Sequence, residues 1–245
     1  MFPTLFVSKA PLKAMPRRPG RDRKCLARLR RMTTTKRPPT VGKQALEVRE
    51  LVSVLYFDAS GWAGALAVAE AAAVAPVKQT EPIEASMVPI IERATLEFLL
   101  MRVARLFDPA EAGNASLPTV FDVLGNAAIR DVVLDDSPFL DRAERERHFD
   151  VALQYWARVS QDPRRERVRK VRSHTLAHNL PHKTFRDVME GFMLPYSEFL
   201  NYAHECLTVV DELAWACVGV SQLGAVSQEA ERAAERIWER MSSIP

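Results

Sequence analysis

From Thr40 onward apolar residues recur every three or four positions, and no run alternates polar with apolar for long enough to make a convincing strand. A helical period kept up over the remaining 205 residues confines the chain to helix packed on helix. Thr40 can cap a first segment with Val48, Leu51, Val52 and Leu55 on one face. The alanine-rich residues 59–75 read as a second helix that Pro76 stops. Ser86 and Pro89 open a longer helix that closes at Asp108-Pro109. It carries one stripe of Ile91, Ala94, Phe98 and Met101 and another of Leu96, Leu99, Leu100, Val103 and Phe107. Two stripes predict a central helix, buried on most sides.

Residues 116–124 read as a short helix beyond a loop. Ser137-Pro138 and Asp162-Pro163 each place a cap before a proline at the first helical position. They predict two antiparallel neighbours, one ending near Ser160 and one starting at Pro163. A short helix is expected after Pro181. The long helix from Pro195 should turn Phe199, Tyr202, Cys206, Val209, Val210, Leu213 and Cys217 inward. Residues 227–241 make a last amphipathic helix with Ile237 and Met241 inward. The predicted fold class is all-α, a helical bundle with irregular connections.

Charge divides the chain more sharply than its net +3 suggests. Residues 1–40 hold six prolines and twelve Lys/Arg against the single acid Asp22, a charge of +11. The rest holds 22 bases and 30 acids, a charge of −8. The expected organisation is a disordered basic tail, 1–40, and a helical domain, 41–245. The tail's composition suits an organelle transit peptide, a segment for an anionic partner or an upstream extension equally well. Cys25, Cys206 and Cys217 form no closed disulfide set, and the last two sit in a helical apolar pattern. A reducing, cytoplasmic setting is therefore expected. No stretch reaches about 18 uncharged apolar residues. The closest, Gly61 to Val77, holds Glu70 and Pro76, so no membrane partner is expected.

The densest chemical text runs from Arg164 to His182 and holds three of the five histidines within nine residues. On a helix, at about 100° per residue, Val168, Val171 and Thr175 define the inward stripe. Arg172 lies about 40° to one side of Val168 and His178 about 80° to the other. Lys170, Ser173 and Ala177 point away. Imidazole titrates near neutral pH and can move a proton, and guanidinium is a fixed planar cation suited to phosphate oxygens. Together they suffice to cut RNA, whose 2′-hydroxyl is an internal nucleophile that DNA lacks. Arg165, Arg169 and Lys170 would hold the backbone in a salt-sensitive way.

Other readings of this segment stay open. A basic run is an ordinary solvated helix face, and Glu166 with Lys170 makes an ordinary i,i+4 pair. His174, His178 and His182 are spaced by four and could hold a transition metal. Pro181 interrupts that stripe and no carboxylate follows at a ligand spacing, so neither metal nor other cofactor is expected. A Gly-rich phosphate loop, a nucleophile elbow and a Cys-x-x-Cys pair are absent from the sequence. Trp62, Trp156, Trp215 and Trp238 read as core or interface anchors.

The run Arg172-Ser-His-Thr-Leu-Ala-His178-Asn179, late in an all-α chain and followed by a long helix, resembles the Arg-x4-6-His motif of HEPN domains. The closer likeness is to their abortive-infection, AbiU-like branch. The Ala-His-Asn ending, the close Arg105-Leu106-Phe107-Asp108 and the restart at Ser116-Leu117 support it over roughly residues 85–220. The resemblance implies a helical bundle that dimerises so that two motifs share one composite cleft. It also implies a metal-independent ribonuclease acting as a toxin or in phage defence, with RNA and an antitoxin as partners. Arg172 would then stabilise the phosphate and His178 act as acid/base, with Ser173 and Asn179 supporting them. Active members commonly carry Asn, Asp or His where this chain has Ser173. An inactive RNA-binding or structural dimer is therefore the alternative. The tyrosine that other branches place two residues after the histidine, as a nucleotidylation target, is Leu180 here.

Overall fold

A computed structural model describes residues 40–74, 82–110, 114–135, 139–177 and 189–243, apart from the side chains at 72–74, 82–89, 175–177 and 237–243. These residues belong to one compact unit, Thr40–Pro245. The basic tail, the short helix after Pro181 and the inward turn of Ile237 and Met241 lie outside what is described.

The chain is all-α. Among the described residues its helices are α1 (Val41–Val74), α2 (Pro82–Arg105), α3 (Leu117–Leu124), α4 (Ala127–Asp135), α5 (Arg142–Gln161), α6 (Pro163–Ala177), α7 (Tyr196–Cys217) and α8 (Leu223–Ser243). The centre is α7, which packs chiefly on α5 and α1, and α1 in turn meets α8, α2 and α4. All seven residues predicted to face inward on α7 are buried, with Leu200, Ala203, Leu207, Ala214 and Ala216 beside them.

The two predicted N-terminal helices are one. Only Asp58, Ser60 and Gly61 interrupt the apolar pattern, and a lone glycine costs about 1 kcal/mol in a helix interior. The Ser60 hydroxyl donates back to the Tyr56 carbonyl at 3.0 Å, and Arg102 of α2 pairs with Asp58. Tertiary contact outweighs a weak local signal. By length and composition Val41–Ala71 could cross a bilayer, a test that a bundle's core helix also passes. Here Ala45, Val48, Val52, Leu55, Ala59 and Trp62 are buried in the bundle.

α2 is not the central helix. Leu96, Leu99, Leu100 and Val103 are buried, whereas Ile90 and Phe98 are exposed and Ala94 lies open. It starts at Pro82, so Pro89 falls inside it. α3 begins behind Ser116, as expected. α4 was not foreseen, although the Asn126 side chain accepts from the Ala128 N–H and Ile129, Val133 and Leu134 are buried. α5 starts at Arg142, not after Ser137, because the Asp141 carboxylate accepts from Glu144 N–H at 2.8 Å. α8 starts four residues earlier than its pattern predicted. α6 begins at Pro163 as expected but packs mainly against α2 and then α7, less against α5.

The end of α7 shows how the bundle satisfies its backbone. Gly219, at φ 85°, turns the chain so that Val218 and Gly219 N–H take the Ala214 and Trp215 carbonyls. The other two last-turn carbonyls, of Ala216 and Cys217, accept from Arg145 at 2.7 and 3.0 Å. Arg145 is fully buried and also donates to the Leu134 carbonyl at the end of α4. One guanidinium thus closes two helix C-termini, where the dipole favours a cation. Trp215, read as a core or interface anchor, stacks on His148 at 5.6 Å, and His148 is held by Glu212 at 2.6 Å.

Candidate functional site

α6 projects its basic residues from a helix anchored by two buried valines. Val168 and Val171 of the predicted stripe are buried, and the side chain of its third member, Thr175, lies outside what is described. Asp162 fixes the start: its carboxylate accepts from the Arg164 N–H at 2.7 Å and from the Arg164 guanidinium. That guanidinium holds the Asp162 carboxyl below its usual range. Arg164 also reaches Glu205 of α7 at 2.9 Å and lies over the Tyr202 ring. Arg167 donates to the Met193 carbonyl. These two arginines hold α6 to α7 and to the turn before it.

The other basic residues face elsewhere. A cleft of about 680 Å³ opens between the end of α2 and the start of α6, with Phe107, Asp108, Asp162, Arg165, Arg169 and Arg172 on its walls. Its volume suits a small ligand or one unit of a polymer. Arg172 donates to the Asp108 carboxylate at 3.0 Å, and the pair is about 30% exposed. That contact uses one of five guanidinium N–H groups. Arg165 donates to the Ser160 carbonyl at 2.9 Å and lies over the Phe107 ring. Arg169 chelates Glu166 at 2.8 Å in solvent and holds that carboxyl below its usual range. Lys170 is exposed, 4.0 Å from Glu166, and Ser173 is exposed too.

The structure therefore brings Arg165, Arg169 and Arg172 to one cleft and turns Lys170 and Ser173 outward. His178, Asn179 and His182 lie outside the described residues. His174 packs edge-on against Phe192, 5.2 Å between centroids. Among the described residues no cluster of three or more His, Cys, Asp or Glu side chains is arranged to hold a metal ion. Cys206 and Cys217 are fully buried and free, and burial pushes the Cys217 thiol up to about 12. That suits the small-hydrophobe reading.

Sequence reasoning assigned no role to Asp108 or to Phe107 as a cleft wall. Asp108 lies 64 residues before its partner. The one local signal was an acid that ends a helix just before proline. Neither buried Arg145 nor its carbonyl partners left any signal in the pattern.

A family model described as AbiU2, of the HEPN group, matches residues 76–241, more than half of the chain. The match runs from before α2 into α8, wider than the stretch that carries the motif resemblance. No curated protein and no solved structure matches the chain.

Proposed function

Because the chain belongs to the AbiU2 family of HEPN abortive-infection proteins, we propose that it is a metal-independent endoribonuclease that acts as a toxin or in phage defence. The observation that carries this reading is Arg172 on the wall of a cleft beside Arg165 and Arg169, six residues before His178 in the sequence. Arg172 meets the scissile phosphate and stabilises charge as it grows on the non-bridging oxygens. The 2′-oxygen attacks phosphorus and the bond to the 5′-oxygen breaks. His178 carries the proton from the 2′-oxygen to the departing 5′-oxygen. The products are a 2′,3′-cyclic phosphate and a 5′-hydroxyl. Asn179 supports the histidine, and Asp108 pairs with the arginine. The active form is a cytoplasmic homodimer with two motifs in one cleft, restrained by an antitoxin.

Purified protein, single-stranded RNA and chelator make the test, with a DNA strand of the same sequence as control. RNA should be cut to cyclic-phosphate ends and DNA left whole. His178→Ala and Arg172→Ala should each lower the rate on the order of 100-fold or more, and the double variant should be little worse. His174→Ala should matter much less. Cleavage that stops with chelator, or that needs His174 as much as His178, contradicts this chemistry. Light scattering showing a monomer at micromolar concentration contradicts the composite cleft.

A second reading, a catalytically inactive RNA-binding or structural dimer, draws support from two observations. Ser173 is exposed and turned from the cleft, and Arg172 is already engaged by a carboxylate. A well-folded dimer that binds RNA without cutting it would select that reading.

A further inference from the structure

Arg165 differs from the other arginines of α6 in the kind of group that holds it. Arg164 is chelated by Asp162, Arg167 sits 3.6 Å from Glu198, Arg169 is paired with Glu166 and Arg172 with Asp108. Among the described residues Arg165 is held by neutral groups: the Ser160 carbonyl at 2.9 Å and the Phe107 ring, 5.1 Å from guanidinium carbon to centroid. Phe107 is itself backed by rings. It stacks with Trp156 at 5.9 Å and 16° and with Tyr202 at 6.0 Å and 17°, and Trp156 stacks on Phe121 at 4.9 Å and 6°. A planar cation is thus pinned at its edge by a carbonyl and supported beneath by a ladder of rings. Both Arg165 and Phe107 line the cleft that Arg172 lines.

Such a group is built for a flat partner. A guanidinium plane stacks on a nucleobase as an aromatic ring does, and its charge adds attraction to the base's π-face. A carboxylate partner would cancel that charge, and among the described residues the holding groups are neutral. Resting on the ribonuclease reading, we propose that Arg165 and Phe107 form a stacking platform for one unpaired nucleobase of a single-stranded RNA whose phosphate meets Arg172. A base inside a duplex has both faces covered by its neighbours, so the platform selects single strands. It also makes Arg165 a base contact instead of the backbone clamp that its charge alone suggests.

The test uses the full chain and a labelled single strand with 2′-O-methyl groups, which binds but cannot be cut because its nucleophile is blocked. A second strand of equal length carries abasic positions in its middle. The base-bearing strand should bind ~10-fold more tightly, the value of one stacked base. Arg165→Lys keeps the charge and loses the plane, so it should bring that ratio to ~2-fold or less while the melting temperature stays at the wild-type value. Equal binding of the two strands by the wild type, or an unchanged ratio in Arg165→Lys, overturns the platform and leaves the ribonuclease reading standing. Failure to bind either strand overturns both. A free nucleoside monophosphate that binds as tightly as the strand assigns the cleft to a small nucleotide and overturns the RNA platform.

Discussion

Arg145 and Arg172 are the same side chain in opposite circumstances. Arg145 is fully buried and spends its donors on three backbone carbonyls at the ends of α7 and α4. Arg172 stands half-open in a cleft and gives the described residues one carboxylate contact, 64 residues away along the chain. A buried cation completed by carbonyls is architecture, because losing it leaves polar atoms without partners where water cannot replace it. A cation that lines a cleft can meet a ligand. Arg164 and Arg167, on the same helix as Arg172, fall on the architectural side, since they tie α6 to its neighbours.

The largest expected effect is at Arg145. Arg145→Met keeps most of the volume and strands the Ala216, Cys217 and Leu134 carbonyls, so urea unfolding should show a loss of about 3 kcal/mol or more. A loss below ~1 kcal/mol, within the range of a surface change, would show that Arg145 is not needed to hold the ends of α7 and α4.

Asp108→Asn sharpens it from the other end. Stability should move by no more than ~1 kcal/mol, because the pair is part-exposed and screened. Removing the carboxylate that competes with the phosphate for Arg172 should tighten binding of an uncleavable RNA strand several-fold, because a like charge beside that phosphate is gone. Unchanged affinity in a binding titration would show that the Asp108 carboxylate does not compete with RNA for Arg172.

The smallest effect concerns His204, which bonds to Glu70 and so ties α7 to α1. The Glu70 carboxylate raises the imidazole above its ordinary 6.5, with burial opposing and Glu231 assisting. The charged form is the one stabilised in the fold. The contribution is therefore complete below pH 6.5 and is lost as pH rises through the raised value. Melting curves of wild type and Glu70→Gln should differ by roughly 1–2 °C at acid pH and converge above neutrality, a small span because the pair is half-exposed. Curves that stay parallel across that range would remove the pair from the account.

Much of the bundle was legible in the sequence. Asp162-Pro163 marks the start of α6, and the spacing of Phe199 through Cys217 marks the buried face of α7. Both are local signals, a cap and a period, and a helix needs little else. The misreadings share one cause. Joining 41–58 to 59–74, leaving Phe98 outside and burying Arg145 depend on what packs against each segment, and a period does not contain that. α4 was missed because nine residues with three buried apolar positions make too short a pattern. At the site, the cleft-lining arginines on α6 were legible as a cluster. The division between Arg164 and Arg167 as ties and Arg165 and Arg172 as cleft walls was not. It is set by Asp108, Phe107, Glu205 and Met193, which come from other parts of the chain.

The claim that Arg172 serves chemistry and not architecture is tested most directly by measuring one variant twice. Arg172→Ala should unfold within ~1 kcal/mol of the wild type in urea. Under single-turnover conditions with single-stranded RNA in chelator it should cut on the order of 100-fold or more slowly. A variant that cuts as fast as the wild type, or whose lost activity is matched by a loss of stability like that expected at Arg145, would contradict the account.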